Sequence, residues 1–172
     1  MAQHPDLNFQ VLGDEWFADA LKTDQPLFDH WAAQLVMGES SLPPEVLQAN
    51  GQLLGKHFEA LIGCWLDASP HFRLRAQGIQ LQMGKQTVGE LDFLVDDLRR
   101  GRTLHIEVAS KFYLAAEDGA AWENWIGPSG RHDTLRHKMD KLVTQLAASR
   151  LDPAKAFMAE HRIANPQPVL LM

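Results

Sequence analysis

The sequence predicts an α/β (α+β) chain: a mixed sheet built on an antiparallel meander, flanked by helices and preceded by an N-terminal helical extension. Three observations carry this expectation. Leu54, Phe58, Leu61, Ile62, Trp65 and Leu66 recur at three- and four-residue steps, the period of a helix with one buried stripe. Three successive segments, near 73–83, 88–95 and 103–114, alternate with period two and are separated by polar turns that contain glycine. A second helical stripe follows, formed by Leu135, Met139, Leu142 and Leu146.

Leu7 to Met37, rich in Trp, Phe, Leu and Ala, reads as one or two short helices, the second opened by Pro26. Ser40-Ser41-Leu42-Pro43-Pro44 breaks the chain, and a long helix is expected from Glu45 to Leu66. Gly51, Gly55, Glu59 and Gly63 form a row on that helix. Each glycine there lowers helix stability by roughly 1 kcal/mol relative to alanine, which points to a close neighbour on that ridge. Ala68-Ser69-Pro70 ends the helix, and Gly84-Lys85-Gln86-Thr87 turns the first strand into the second. Asp96 to Arg102 suits a hairpin loop. Residues 115–131 read as an irregular insertion with Trp122, Trp125 and Gly127-Pro128-Ser129-Gly130. Asp133 is expected to cap a helix that runs to about Arg150. A short helical piece follows Asp152-Pro153. The final run, Pro168-Val169-Leu170-Leu171-Met172, reads as a strand with no polar flank. The expected organisation is a helical extension over 1–40 and a core over 41–172 that is truncated at its C-terminus.

At 172 residues, 45% hydrophobic and 22% charged, the chain has the composition of an ordinary globular protein. The formal charge of -6 gives no global attraction to nucleic acid or to an anionic membrane, so any nucleic-acid binding must come from a local basic patch. The single Cys64 forms no intrachain disulfide and points to a cytoplasmic setting. No apolar run approaches the ~20 residues of a membrane-spanning helix.

The second and third strands carry the unusual residues. Strand parity puts Glu90, Asp92 and Leu94 on one face and Leu91, Phe93 and Val95 on the other. In the third strand His105, Glu107, Ala109, Lys111 and Tyr113 share a face opposite Leu104, Ile106, Val108 and Phe112. If the strands pair, Asp92 and Glu107 converge, with Lys111 one pleat further along. Two neighbouring carboxylates raise each other's pKa unless a cation intervenes. A hard divalent ion that prefers oxygen ligands answers that need.

The order helix, three-stranded meander, helix, strand resembles the core of the PD-(D/E)XK nuclease superfamily, the restriction-endonuclease-like proteins. The likeness covers the chain from about Glu45 onward. Gly89-Glu90-Leu91-Asp92-Phe93-Leu94, Glu107-Val108-Ala109-Ser110-Lys111-Phe112-Tyr113-Leu114 and Trp125-Ile126-Gly127-Pro128 more narrowly resemble a bacterial domain-of-unknown-function family, DUF family 1853, within that superfamily. The resemblance implies a Mg²⁺-dependent nuclease, with Mn²⁺ as a substitute and nucleic acid, DNA foremost, as the partner. It makes Asp92 and Glu107 metal ligands, Lys111 the catalytic lysine and Glu59 a further metal ligand. Lys138 and Gln145 become substrate-binding residues on the second helix. The sequence departs from the motif at Leu91, where the proline would stand, and at Ala109, where the lysine would stand.

Plainer readings stand beside these. Asp92 and Glu107 could lie on a solvated sheet face, and Lys111 could pair with Glu107 or Glu90. Glu59 could pair with Lys56 on the helix surface. Glu90 reads as a strand-end charge, His105 as a satisfied polar side chain, and Lys138 and Gln145 as a solvated helix face. Asp133 and His137 have helical metal-ligand spacing, but capping explains the aspartate better. Trp122 and Trp125 could stack on bases or cover the site, and Cys64 suits a small buried position. Two alternatives to an active nuclease follow. One is a protein of the same fold with a degraded site that binds nucleic acid or protein. The other is an interaction domain whose acidic face meets a basic partner.

Overall fold

The structure, a computed structural model, describes residues 14–38, 42, 46, 54–115 and 121–171. The elements run α1 (Asp14–Thr23), α2 (Gln25–Val36), α3 (Leu54–Ala68), β1 (Phe72–Met83), β2 (Gln86–Asp97), β3 (Arg102–Val108), α4 (Leu135–Ala147), α5 (Asp152–Glu160) and β4 (Gln167–Leu171). Short 3₁₀ turns lie at Trp122–Asn124 and Ala148–Arg150. The sheet order is β1-β2-β3-β4, antiparallel through the meander and parallel between β3 and β4. This is the mixed α/β arrangement that the sequence predicts, with helices before and after the meander. The expected start of the long helix at Glu45, the glycine at position 51 and most of the 40–44 break lie outside the described residues.

Helices cover both faces of the sheet. On one face, Trp16 and Ala20 of α1 and Ile62, Trp65 and Leu66 of α3 pack against Phe93, Val95, Leu104, Ile106, Val169 and Leu171. On the other, Leu81, Leu91 and Leu94 meet Ala148, Ala154 and Met158, while Ala109 and Leu170 meet Leu142 and Leu146 of α4. Each large side chain withdrawn completely from water, such as Phe93 or Leu104, contributes about 2 kcal/mol. Two indole N–H groups tie the first helices to this core. Trp65 Nε1 donates to the buried Asp24 carboxylate at 2.7 Å, and Trp16 Nε1 donates to the buried Asp97 at 3.3 Å.

Three local departures from simple periodicity shape the site. First, Leu91 joins Leu94 in one core cluster while Phe93 and Val95 lie in the other, so strict alternation does not hold through Asp92. Across the register, Gly78 sits between the Gln77–Phe93 and Ile79–Leu91 pairs with φ of 62°. That backbone conformation favours glycine and marks a bend in the paired strands. Second, β3 ends at Val108 instead of reaching 114. Its pairing with β2 stops at Ile106, and Ala109 N makes a last bond to Leu171 O at 2.8 Å. Beyond Ala109 the chain leaves the sheet. Third, Thr134, not Asp133, caps α4: its side chain accepts from the His137 N–H at 3.2 Å. Asp133 is drawn away by other partners, given below.

The glycine row of α3 is only partly a close-packed ridge. A Cβ on Gly63 would lie 3.1 Å from the Gln77 side-chain amide and 3.2 Å from Phe93, whereas one on Gly55 would meet nothing within 4 Å among the described residues. Cys64 is half-buried rather than buried.

Candidate functional site

Four carboxylates converge where α3 crosses the bent part of the meander. α3 contributes Glu59, β2 contributes Glu90 and Asp92, and β3 contributes Glu107. A carboxylate oxygen from each of Glu59, Glu90 and Asp92 lies within 4.8 Å of the other two. Among the described residues these three are the group of His, Cys, Asp and Glu side chains close enough to share one metal ion. Asp92 and Glu107 are joined across the strands. Val108 N donates to Asp92 Oδ2 at 2.9 Å, and Asp92 N donates weakly to Glu107 Oε1 at 3.4 Å.

Glu107 is completely buried, as is His105 beside it. His105 Nε2 lies 2.8 Å from Glu107 Oε1, while Glu107 Oε2 and His105 Nδ1 are buried with no hydrogen-bond partner among the described residues. A buried carboxylate oxygen left unpaired is costly, and coordination to a cation is one way to satisfy it. The Asp92 carboxyl is pushed up to about 7. Burial is the chief cause, and the nearby Glu107 charge adds to it. The Val108 N–H bond opposes the rise, and Glu59 and Glu90 raise it further. Without a cation, the cluster therefore holds a proton near neutrality. The donor set is all oxygen, which suits a hard divalent ion.

Positive charge reaches the cluster from two sides. Lys56 Nζ donates to Glu59 Oε2 at 2.7 Å, and the Lys56 ammonium is held above its usual range first by that bond and then by the charges of Glu59, Glu90 and Asp92. On the α4 side, burial pushes Lys138 below its usual range. Lys141 and Lys111 push it the same way, and Asp92 and Glu107 pull against them. Lys138 thus shares the field of the acidic pair.

Lys111 does not point at the acidic pair in the way strand parity implies. It stands beyond the end of β3, and its ammonium lies 2.6 Å from the Asp133 carboxylate. Asp133 also accepts from Ser129 N at 3.2 Å, and the Lys111 bond is the chief cause holding its carboxyl below the usual range. This engagement removes Asp133 from both capping and the His137 pair. Gln145 lies two turns beyond Lys138, its Oε1 buried and without a partner, and it makes no hydrogen bond to Asp92 or Glu107. Of the residues singled out in the sequence, Glu59, Asp92, Glu107 and Lys138 are brought together, while Lys111 and Gln145 stand apart. Sequence reasoning set Glu90 aside as a strand-end charge. Its shared parity with Asp92 was the available signal for including it.

A cavity of about 350 Å³ opens beside the cluster between α3, the segment after β3 and α4. Phe58, Phe112, Tyr113 and Trp125 line it, together with Lys111 and Lys138. Trp122 is exposed nearby in sequence, and Trp16 and Trp65 belong to the core. No helix among the described residues is long and apolar enough to cross a membrane.

Neither a curated protein nor a solved structure matches the chain. A family model does match, over residues 3–172, described as "Domain of unknown function (DUF1853)". With nearly its whole length covered, the chain belongs to that family.

Proposed function

We propose that the protein is a Mg²⁺-dependent phosphodiesterase acting on nucleic acid, DNA foremost, with Mn²⁺ able to replace Mg²⁺. The observation that carries this reading is the meeting of Glu59, Glu90 and Asp92 with the buried, half-satisfied Glu107. The element order, helix, meander, helix and parallel strand, agrees with the PD-(D/E)XK core that the sequence resembles.

Asp92 would hold the ion together with Glu59 and Glu90, and Glu107, joined to Asp92 across the strands, would add its unpaired Oε2. A divalent ion bound there polarises a phosphoryl oxygen and lowers the pKa of a bound water. The chain's own contribution is positional and electrostatic. Lys138 would bring positive charge to a phosphate at the cluster, where its partly buried setting strengthens the interaction. His105 fixes Glu107 through its 2.8 Å contact, and Val108 N–H fixes one Asp92 oxygen, leaving the other available.

The test combines calorimetric Mn²⁺ titration with cleavage assays on plasmid DNA, oligodeoxynucleotides and RNA. The wild-type protein is expected to bind Mn²⁺ and cleave at least one substrate, and Asp92→Asn and Glu107→Gln to abolish both. No metal binding and no cleavage would refute the proposal. A second reading is a nuclease-like protein that binds without cutting. The engagement of Lys111 by Asp133 favours it. Metal and nucleic-acid binding without cleavage would select that reading.

A further inference from the structure

We infer that the cavity beside the acidic cluster receives an unpaired nucleobase, so that the substrate is a single strand or a frayed end and not an intact duplex. The inference rests on the nucleic-acid reading of the same site and names its substrate class. At about 350 Å³ the cavity lies at the small end of ligand pockets, which span ~300–1,000 Å³. Its walls combine flat apolar rings with cations. Phe112, with Trp125 on the same lining, offers an aromatic face, Phe58 packs back against the core, and Lys111 lies over the Tyr113 ring while Lys138 supplies a second cation. A base needs the former and its phosphate the latter.

Two further features favour this occupant. Phe112 is 76% exposed and makes no ring contact among the described residues, so its face is open at the cavity. An aromatic ring this exposed on a cavity wall has no packing role to explain it. The second feature is local charge. The chain is acidic overall, yet residues 131–141 hold Arg131, Arg136, Lys138 and Lys141 against Asp133 and Asp140; Asp133 is paired with Lys111, and Arg136 with Glu123 at 3.9 Å. This is the local basic patch that nucleic-acid binding by an acidic protein requires. Lys138 belongs to both the cavity wall and the field of Asp92 and Glu107, so a nucleotide seated there brings its own phosphate to the acidic cluster. Bases inside a duplex are stacked and cannot present a face to a pocket without being extruded.

The experiment measures fluorescence anisotropy at low ionic strength, in chelator, with a labelled single-stranded oligodeoxynucleotide and with its duplex. The full chain is expected to bind the single strand at least tenfold more tightly than the duplex. Phe112→Ala is expected to weaken single-strand binding about tenfold, and Phe112→Trp to restore it. Because Phe112 is exposed, both variants should keep the wild-type circular dichroism spectrum and melting temperature. Equal affinity for strand and duplex, no measurable binding of either, or Phe112→Ala binding like wild type would overturn the inference. The readout is independent of metal. Phe112-dependent strand binding without any Mn²⁺-dependent cleavage would sink the enzyme and leave the pocket standing. Cleavage with binding indifferent to Phe112 would do the reverse.

Discussion

The Lys111 ammonium lies 2.6 Å from the Asp133 carboxylate and not against Glu107, the partner that strand parity gives it. Lys138, one turn into α4, is the lysine that shares the field of Asp92 and Glu107. If the protein cleaves phosphodiesters, Lys138→Ala should lower the rate by about 100-fold, the scale of removing one charge-stabilising donor. Lys111→Ala should cost less, about tenfold, and Asp133→Asn should not abolish cleavage. Single-turnover rates for the three variants rank the lysines directly. A larger loss in Lys111→Ala would reverse the assignment.

Asp92 makes metal-free stability depend on pH. An aspartate titrates near 3.8 when unperturbed, and burial with Glu107 nearby lifts Asp92 to about 7 in the folded protein. Between those values the folded chain holds a proton that the unfolded chain has released. Raising the pH through that window therefore removes stability. The melting temperature of the metal-free protein should fall more steeply from about pH 4 to pH 7 than that of Asp92→Asn, and the two profiles should run parallel above it. Mn²⁺ should raise the wild-type melting temperature more at about pH 8 than at pH 6, since the ion competes with that proton. Parallel profiles throughout would show that Asp92 keeps an ordinary pKa.

His105 supports Glu107 from within the core, both side chains being inaccessible to solvent. Removing one partner of a buried pair leaves the other uncompensated. His105→Ala should destabilise the fold by about 3 kcal/mol in urea denaturation. His105→Gln, which keeps a donor, should recover part of that loss and bind Mn²⁺ more tightly than the alanine variant.

Two glycines of α3 should respond in opposite ways. Gly55→Ala meets no neighbour among the described residues and gains helix propensity, a stabilisation of up to about 1 kcal/mol. Gly63→Ala drives a methyl group against Gln77 and Phe93 and should destabilise the protein despite the same gain. Thermal melts of the two variants are enough to check the pair.

Much of the architecture is legible in periodicity. The α3 stripe at Phe58, Ile62, Trp65 and Leu66 and the alternation around Leu104 and Ile106 each report a surface buried by a neighbour, and both are realised in one core cluster. What periodicity does not encode is where a partner runs out. Residues 109–113 keep an alternating pattern, yet the pairing of β3 with β2 stops at Ile106 and β3 itself at Val108, so Lys111 stands beyond the strand. Nor does a pattern along one strand report a bend imposed from the next. Gly78 lies on β1, while the change of phase that sends Leu91 to join Leu94 occurs on β2. Asp133 was misread as a cap for a related reason. Its sequence context favours capping, but a lysine from a distant segment competes for the same oxygens and Thr134 takes over.

The parallel pairing of β3 with β4 has a consequence for the order of events during synthesis. Glu107 sits opposite Leu170, so a chain folded only as far as α4 would leave β3 as an open edge, with its unpaired backbone groups and its acidic residue facing water. The pairing that covers Glu107 from the β4 side therefore needs the longest loop closure in the sheet. A ribosome-bound intermediate lacking β4 should thus carry the acidic cluster with Glu107 uncovered on that side, its cover arriving only with the C-terminal strand.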